Sequence, residues 1–211
     1  MNLIIISIVG ILLMLYGFNA ANSTIILVLG ALLLIVAQYL IYTRVIKSKN
    51  KVDEALSSID VQLKKRYDLI PNILTIANKF MEHERGLLEE IAKLRSQATK
   101  LGRGESNLSQ KIQLDKMIQD KMSQFMVAVE NYPQLKSDQT MLVAMQTYNE
   151  VEEHICAARR FYNSAVNELN NNVDIFPSSM YASMMGIKRR EFFEALEAER
   201  QSISAADYLN R

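Results

Sequence analysis

The chain has 211 residues, with 24 Lys and Arg against 23 Asp and Glu, a net charge of +1 that excludes a globally basic nucleic-acid binder. Its single cysteine, Cys156, excludes an intrachain disulfide framework. No Trp, seven Gly and only three Pro favour long helices over a sheet protein.

Residues 3–42 carry no charged side chain, whereas the chain beyond residue 43 is densely charged. The averages therefore hide two materials: an apolar leader (1–45), and a body (46–200) long enough for a real core, followed by a tail (201–211). In the leader, "TIILVLGALLLIVAQYLIY" (24–42) reaches about 29 Å as a helix, the thickness of a bilayer's hydrocarbon. Tyr39 and Tyr42 lie where interfacial aromatics belong, and Arg44, Lys47, Lys49 and Lys51 follow at once, so the positive-inside rule makes that end cytoplasmic. The shorter run "LIIISIVGILLMLYGF" (3–18) has Ser7, Gly10 and Gly17 near one face, which allows close packing near Gly30, Ala31 and Ala37. A cleaved signal peptide would want a basic start and a small-residue cleavage site, and neither is evident. The expectation is a helical hairpin of two spans, 3–18 and 24–42, with a short outer turn.

Apolar residues then recur at spacings of three and four: Val52, Leu56, Ile59, Leu63, Tyr67, Ile70, Leu74, Ala77 and Phe80/Met81, resuming after "EHERG" with Leu87/Leu88, Ile91 and Leu94. This reads as one face of a long helix ended by "GRGES" (102–106), with Gly102 as a C-terminal cap. Pro71 interrupts neither the spacing nor the phase. Either a fresh helix starts near Asp68, with Pro71 in its first turn, or one helix continues with a kink where the Tyr67 carbonyl loses its donor. The preserved phase favours the second.

A second run carries Leu108, Ile112, Met117, Ile118, Met122, Phe125, Met126 and Val129 and stops before Pro133. Ser137 or Asp138 caps a third helix, with the stripe Met141/Leu142, Met145, Tyr148, Val151, Ile155, Ala158, Tyr162, Ala165/Val166, Leu169 and Val173. "NNN" (170–172) weakens it and "FP" (176–177) ends it. A short helix over 178–185, Gly186 and a last helix or turn in "RREFFEALEAER" complete the chain. No strand alternation appears. The fold class expected is all-α: N-terminal transmembrane segments followed by an antiparallel bundle of long helices, with periodicity long enough for coiled-coil association between subunits.

Asp60 and Arg66 border the first stripe as Glu152 and Arg159 border the third. They are either solvated flanks or a partly buried ionic and amide network joining the first and third helices. Met180, Tyr181, Met184 and Met185 form a soft apolar cluster, either core filler or an interaction surface. "KKR" (64–66) and the Arg pairs at 159/160 and 189/190 suit anionic lipid if they face the bilayer, and otherwise a solvated or ion-paired face. The metal, zinc-protease, hydrolase, P-loop and dinucleotide patterns are all lacking: His154 follows Glu150 at i+4, not i+3, and Cys156 lies in a helical run as a small core residue. No catalytic residue, metal or cofactor is expected.

"VDEALSSIDVQLKKRYDLIPNILTIANKFMEHE" (52–84), "ENYPQLK" (130–136), "EEHICAARRFYNSAVNELNNNVDIFPSSMYASMMG" (152–186) and "EFFEA" (191–195) together resemble the LemA family, in the same order. The resemblance implies an all-helical domain behind a membrane segment in a bacterium, and no established reaction. It carries over Asp60, Gln62, Leu63, Arg66, Tyr67, Asp68, Leu69, Pro71 and Asn72, then Asn131, Tyr132, Pro133, Arg159, Tyr162, Asn163, Phe176 and Pro177. A structural network of Asp60, Arg66, Asp68, Pro71, Asn72, Arg159, Tyr162 and Asn163 is expected from it. Family members typically show one span, so the extra apolar run is a departure. The functional expectation is a non-enzymatic scaffold that self-assembles at the bacterial cytoplasmic membrane, its body on the cytoplasmic side, and organises or remodels that membrane in envelope homeostasis. The alternative is an adaptor of a membrane protease or stress-response complex. The expected partners are the lipid bilayer and further copies of the chain, with no nucleic acid.

Overall fold

The computed structural model describes residues 2–19, 24–101 and 108–193. Among these the chain is helical without strands: α1 (Asn2–Asn19), α2 (Thr24–Ala77), a 3-10 turn (Glu82–Glu84), α3 (Arg85–Lys100), α4 (Leu108–Val129), α5 (Pro133–Lys136), α6 (Gln139–Asp174) and α7 (Ser178–Met184). The expected caps at Gly102 and the tail 201–211 lie outside the described residues.

The apolar segment and the first bundle helix are one element. α2 runs 54 residues without interruption, about 80 Å at the ordinary rise, with Pro71 inside it. The continuous-helix resolution of Pro71 therefore holds. The carbonyl it orphans, that of Tyr67, accepts a hydrogen bond from Arg95 Nε of α3 at 3.0 Å. A buried backbone carbonyl needs a partner, and a guanidinium from the neighbouring helix supplies what Pro71 cannot.

α1 lies antiparallel on the first part of α2, meeting it where both helices have glycine. A Cβ built on Gly30 would stand 3.0 Å from the Gly10 carbonyl oxygen and from Met14 Cγ, and one on Gly10 would stand 3.0 Å from Leu34 Cγ. Gly10, Gly30 and Ala37 are buried as the small-residue spacing predicts, while Ala31 is half-buried; the Gly17 side of that face lies outside the described side chains. The outward faces stay apolar: Leu15, Ile25, Val28 and Ile35 are each 60% or more exposed. Such a surface is costly in water and at home in lipid. α2 is also the one described helix long and apolar enough to cross a membrane, the described apolar stretch of α1, Ile5–Tyr16, being shorter. We read the chain as membrane-associated on this ground.

The stripe from Val52 to Met81 is buried throughout. It does not continue as one helix into Leu88, Ile91 and Leu94. Residues 78–84 turn the chain back, and α3 returns antiparallel along α2, so that Arg95 reaches Tyr67. α4 runs antiparallel to α3, with Lys121 on Glu90 at 2.8 Å. α5 begins on Pro133, whose missing N–H costs nothing at a first helical turn. Asp138 caps α6 by accepting from the Met141 amide at 2.9 Å. α6 is antiparallel to α2: Lys51 meets Glu168 while Arg66 meets Glu152. One apolar core joins α2, α3, α4 and α6.

Met117, Met126 and Leu142, expected on core faces, are exposed. α6 continues through the three asparagines to Asp174, because Asn170 and Asn172 are buried and the helix is held by packing rather than by propensity. After the cis Phe176–Pro177 bond, α7 ends in a left-handed Gly186 (φ +65°). The Gly186 amide donates to the Ser183 carbonyl and the Ile187 amide to that of Ala182, a termination that a side chain at residue 186 would strain. Residues 187–193 are not helical; the expected last helix or helical turn, in 189–200, falls mostly on residues 194–200, which lie outside the described part.

Candidate functional site

The centre of the bundle is ionic. Positions 108, 111, 115, 118, 122 and 125 of α4 form a regular inward row, and two of them are Lys111 and Asp115. Both charges therefore enter the core. Asp115 meets Arg66, which is completely buried on α2. Arg66 uses each nitrogen of its guanidinium: Nη1 on Asp115 Oδ1 at 2.5 Å, Nε on the Tyr148 hydroxyl at 3.0 Å, and Nη2 on Glu152. Arg159 of α6 takes the other Asp115 oxygen. Two guanidinium groups thus face two carboxylates from three helices, and the set is neutral. Beside it, Lys111 Nζ lies 2.6 Å from Asp60 Oδ1, a second balanced pair joining α4 to α2.

Burial alone would lower the Arg66 pKa, but Asp115 and Tyr148 outweigh it and hold the guanidinium above its ordinary value. Burial raises the Tyr148 hydroxyl, with Arg66 opposing. Burial and then Asp115 raise Tyr67, and burial and then Glu191 raise Tyr162. A tyrosine whose folded pKa exceeds its unfolded one contributes its full stability below the unfolded pKa, near 10, and loses it as pH rises beyond. The bundle is expected to hold constant stability from neutral pH to about 10 and then weaken steeply. Tyr67→Phe should leave the onset near pH 10, where Tyr148 and Tyr162 still begin to titrate, and make the fall above it shallower in circular-dichroism melts across pH. A fall just as steep as that of the natural chain would refute the assignment.

The other residues carried by the family resemblance separate into different places. Tyr162 and Asn163 are not in the ionic centre. Asn163 Nδ2 donates to the Phe193 carbonyl and its Oδ1 accepts from the Phe193 amide, both at 2.8 Å. Asn170 treats Arg190 the same way, at 3.0 and 2.9 Å. The Tyr162 hydroxyl donates to the Glu191 carbonyl at 3.1 Å. The asparagines are seven residues apart on a helix and their targets three apart on an extended chain. Both spacings come to about 10 Å, so two side-chain amides act as rungs for a backbone running antiparallel to α6. Phe193 joins this clamp to the ionic centre by lying under Arg159, 4.8 Å from the guanidinium carbon to the ring centre.

Asp68 and Asn72 are exposed on α2 and take no part in either set, and Asp60 pairs with Lys111 rather than with Arg66. Pro71 contributes only through the carbonyl it frees. Asp68 instead lines a cleft of about 780 Å³ among α2, α3 and α4, shared with Asp60, Lys64, Arg95 and Lys111, where charges of both signs meet. Asp115, Lys111 and Arg95 are residues that sequence reasoning missed, and Tyr148, expected on the core face of α6, was missed as a partner of Arg66. For the two on α4 a signal existed: a seven-residue repeat in which only charge disguised the inward positions. Arg95 had none, since nothing in the spacing assigns α3 to the Tyr67 carbonyl.

Tyr39 and Tyr42 are exposed at the end of the apolar part of α2. Arg44 and Lys47 are exposed one to two turns on, Lys49 is half-buried, and Lys51 is paired with Glu168. Met180 and Met184 are exposed, Tyr181 and Met185 half-buried. Among the described residues no group of three His, Cys, Asp or Glu is placed to hold a metal ion.

Fold and centre together define an all-helical, membrane-associated protein organised round a neutral ionic core. The chain belongs to the LemA family, whose family model matches residues 55–205 and so takes in the ionic core and the asparagine clamp. It is also similar to two proteins of Paramagnetospirillum magneticum, magnetosome protein MamQ 2 and magnetosome protein MamQ 1. Each is 32% identical over 73 residues, covering 35% of this chain and 27% of the relative. The chain thus matches about a quarter of the length of these curated relatives.

Proposed function

We propose that this protein is a non-enzymatic scaffold, anchored by a helical hairpin of α1 and the first part of α2, with its bundle on the cytoplasmic side of the bacterial inner membrane. Self-association of the anchored bundles organises or remodels the membrane in envelope homeostasis. The observation that supports this most is the continuity of α2: one helix is lipid-facing at its start and forms the bundle core at its end. A hinge-free link transmits the orientation of each bundle to the bilayer. Confinement to a plane raises the effective concentration of copies, so weak lateral contacts suffice for assembly. The Arg66–Asp115–Arg159 set fixes the register of three helices, a role for which buried ionic groups are suited even where they add little net stability.

The test is the size distribution of the full chain in detergent and in lipid nanodiscs, read by single-particle imaging across concentrations. Symmetric multimers are expected, and a strict monomer at every concentration defeats the reading. Thiol labelling of a cysteine placed at Asn22 by an impermeant reagent should succeed from the outer side only, and protection there defeats the hairpin.

A further inference from the structure

We infer that the α6–α7 corner is a second membrane contact, a foot that enters the bilayer's interfacial layer beside the anchor. Four apolar side chains there face outward: Ile175, Phe176, Met180 and Met184, exposed by 59%, 66%, 58% and 82%. An exposed cluster of this kind needs an apolar partner. Its position names the partner. The Tyr181 hydroxyl is hydrogen-bonded to Gln38 Oε1, and α7 packs on α2. Gln38 lies inside the charge-free run, one residue before Tyr39 and one turn before Tyr42, the two exposed aromatics that mark the interface. Whatever depth α2 takes in lipid, α7 inherits through that contact. With the start of α2 in the bilayer, the corner cannot remain in bulk water.

The charges agree. On the body side of α7 a cleft of about 400 Å³ is lined by Lys49, Lys188, Arg189 and Arg190 together with Met185 and Ile187. Arg189 also reaches Asp174 at 2.6 Å, and Arg190 lies 3.8 Å from Asp53. Apolar groups on the anchor side and basic groups on the body side match an interface of acyl chains below anionic headgroups. The asparagine clamp holds residues 190–193 on α6, and the left-handed Gly186 turns the chain from α7 into that segment. The foot is therefore fixed to the bundle rather than tethered to it.

The inference rests on the membrane-anchored reading, and one experiment separates their failures. Three full-length chains in a Cys156→Ala background carry Leu32→Cys, Met184→Cys or Thr140→Cys, each labelled with a small fluorophore. They are reconstituted in phosphatidylethanolamine–phosphatidylglycerol vesicles containing nitroxide lipids of shallow or deep label. Residue 32 lies in the apolar part of α2, and Thr140 is exposed at the far end of the bundle. The expected result is loss of fluorescence at residue 32 with the deep quencher, at 184 with the shallow one, and at 140 with neither. Loss at 32 but not at 184 overturns the foot and leaves the anchor standing. No loss at 32 overturns the anchored reading itself. Crosslinks between copies through residue 184, with no quenching there, would mean that a second copy covers the corner and would also overturn the foot. Met184 is so exposed that its substitution should not unfold the chain, and Ile175→Cys provides an independent position with the same expectation.

Discussion

Asp115→Asn is expected to cost the bundle about 3–5 kcal/mol, the usual effect of leaving buried charge uncompensated. Asp115 is fully buried and is held by both guanidinium groups. Removing its charge leaves Arg66, itself completely buried, and Arg159 facing each other with only Glu152 between them in charge. The amide can accept from one of them but cannot balance either. The loss would be read from urea denaturation of the full chain in detergent, followed by circular dichroism. The contrast is a variant in which Arg66, Asp115, Glu152 and Arg159 all become apolar residues of similar volume. Most of the lost stability should return, because no charge is then stranded, although the register of the three helices is less well specified. If Asp115→Asn falls within about 1 kcal/mol of the natural chain, the ionic centre is not the neutral, desolvated set described here.

Arg95→Met is expected to cost about 1–3 kcal/mol, and much less when Pro71 is replaced by alanine. The reason is one carbonyl. Pro71 has no N–H to give to Tyr67, so the carbonyl relies on Arg95 Nε. Pro71→Ala restores the ordinary helical donor. The two substitutions should therefore couple: the double variant should be more stable than the sum of the single effects implies, by about 1 kcal/mol. Additive effects would show that Arg95 works through its packing instead. The coupled pair also explains how an apolar stripe passes through a proline in phase. The interruption is repaired by a different helix.

Much of this architecture is legible along the chain. The charge-free leader, the inward residues from Val52 to Met81 and the stripe of α6 follow from local period and composition, as do the stop before Pro133 and the cap at Asp138. The small-residue spacing at Gly10 and Gly30 predicts the closeness of α1 and α2. Of the two readings of the charged residues, solvated flanks or a network between the first and third helices, Arg66 on Glu152 matches the second, but the structure draws in a further helix: Asp60 goes to Lys111, and the anion between Arg66 and Arg159 is Asp115 of α4. Tyr162 and Asn163, grouped with that network by the family resemblance, instead hold the non-helical segment up to Phe193.

These misses share a physical cause. Periodicity is a property of one helix and its own 3.6-residue turn, so the sequence by itself determined most of the apolar faces and where lipid is tolerated, but not the turn at 78–84 that divides α2 from α3. Which side chain arrives opposite Asp115, the Tyr67 carbonyl or the Asn163 amide depends on another segment tens of residues away. Only the tertiary structure decided those pairings, because a buried charge or an orphaned carbonyl takes the partner that packing brings to it, and no spacing along the chain encodes that partner.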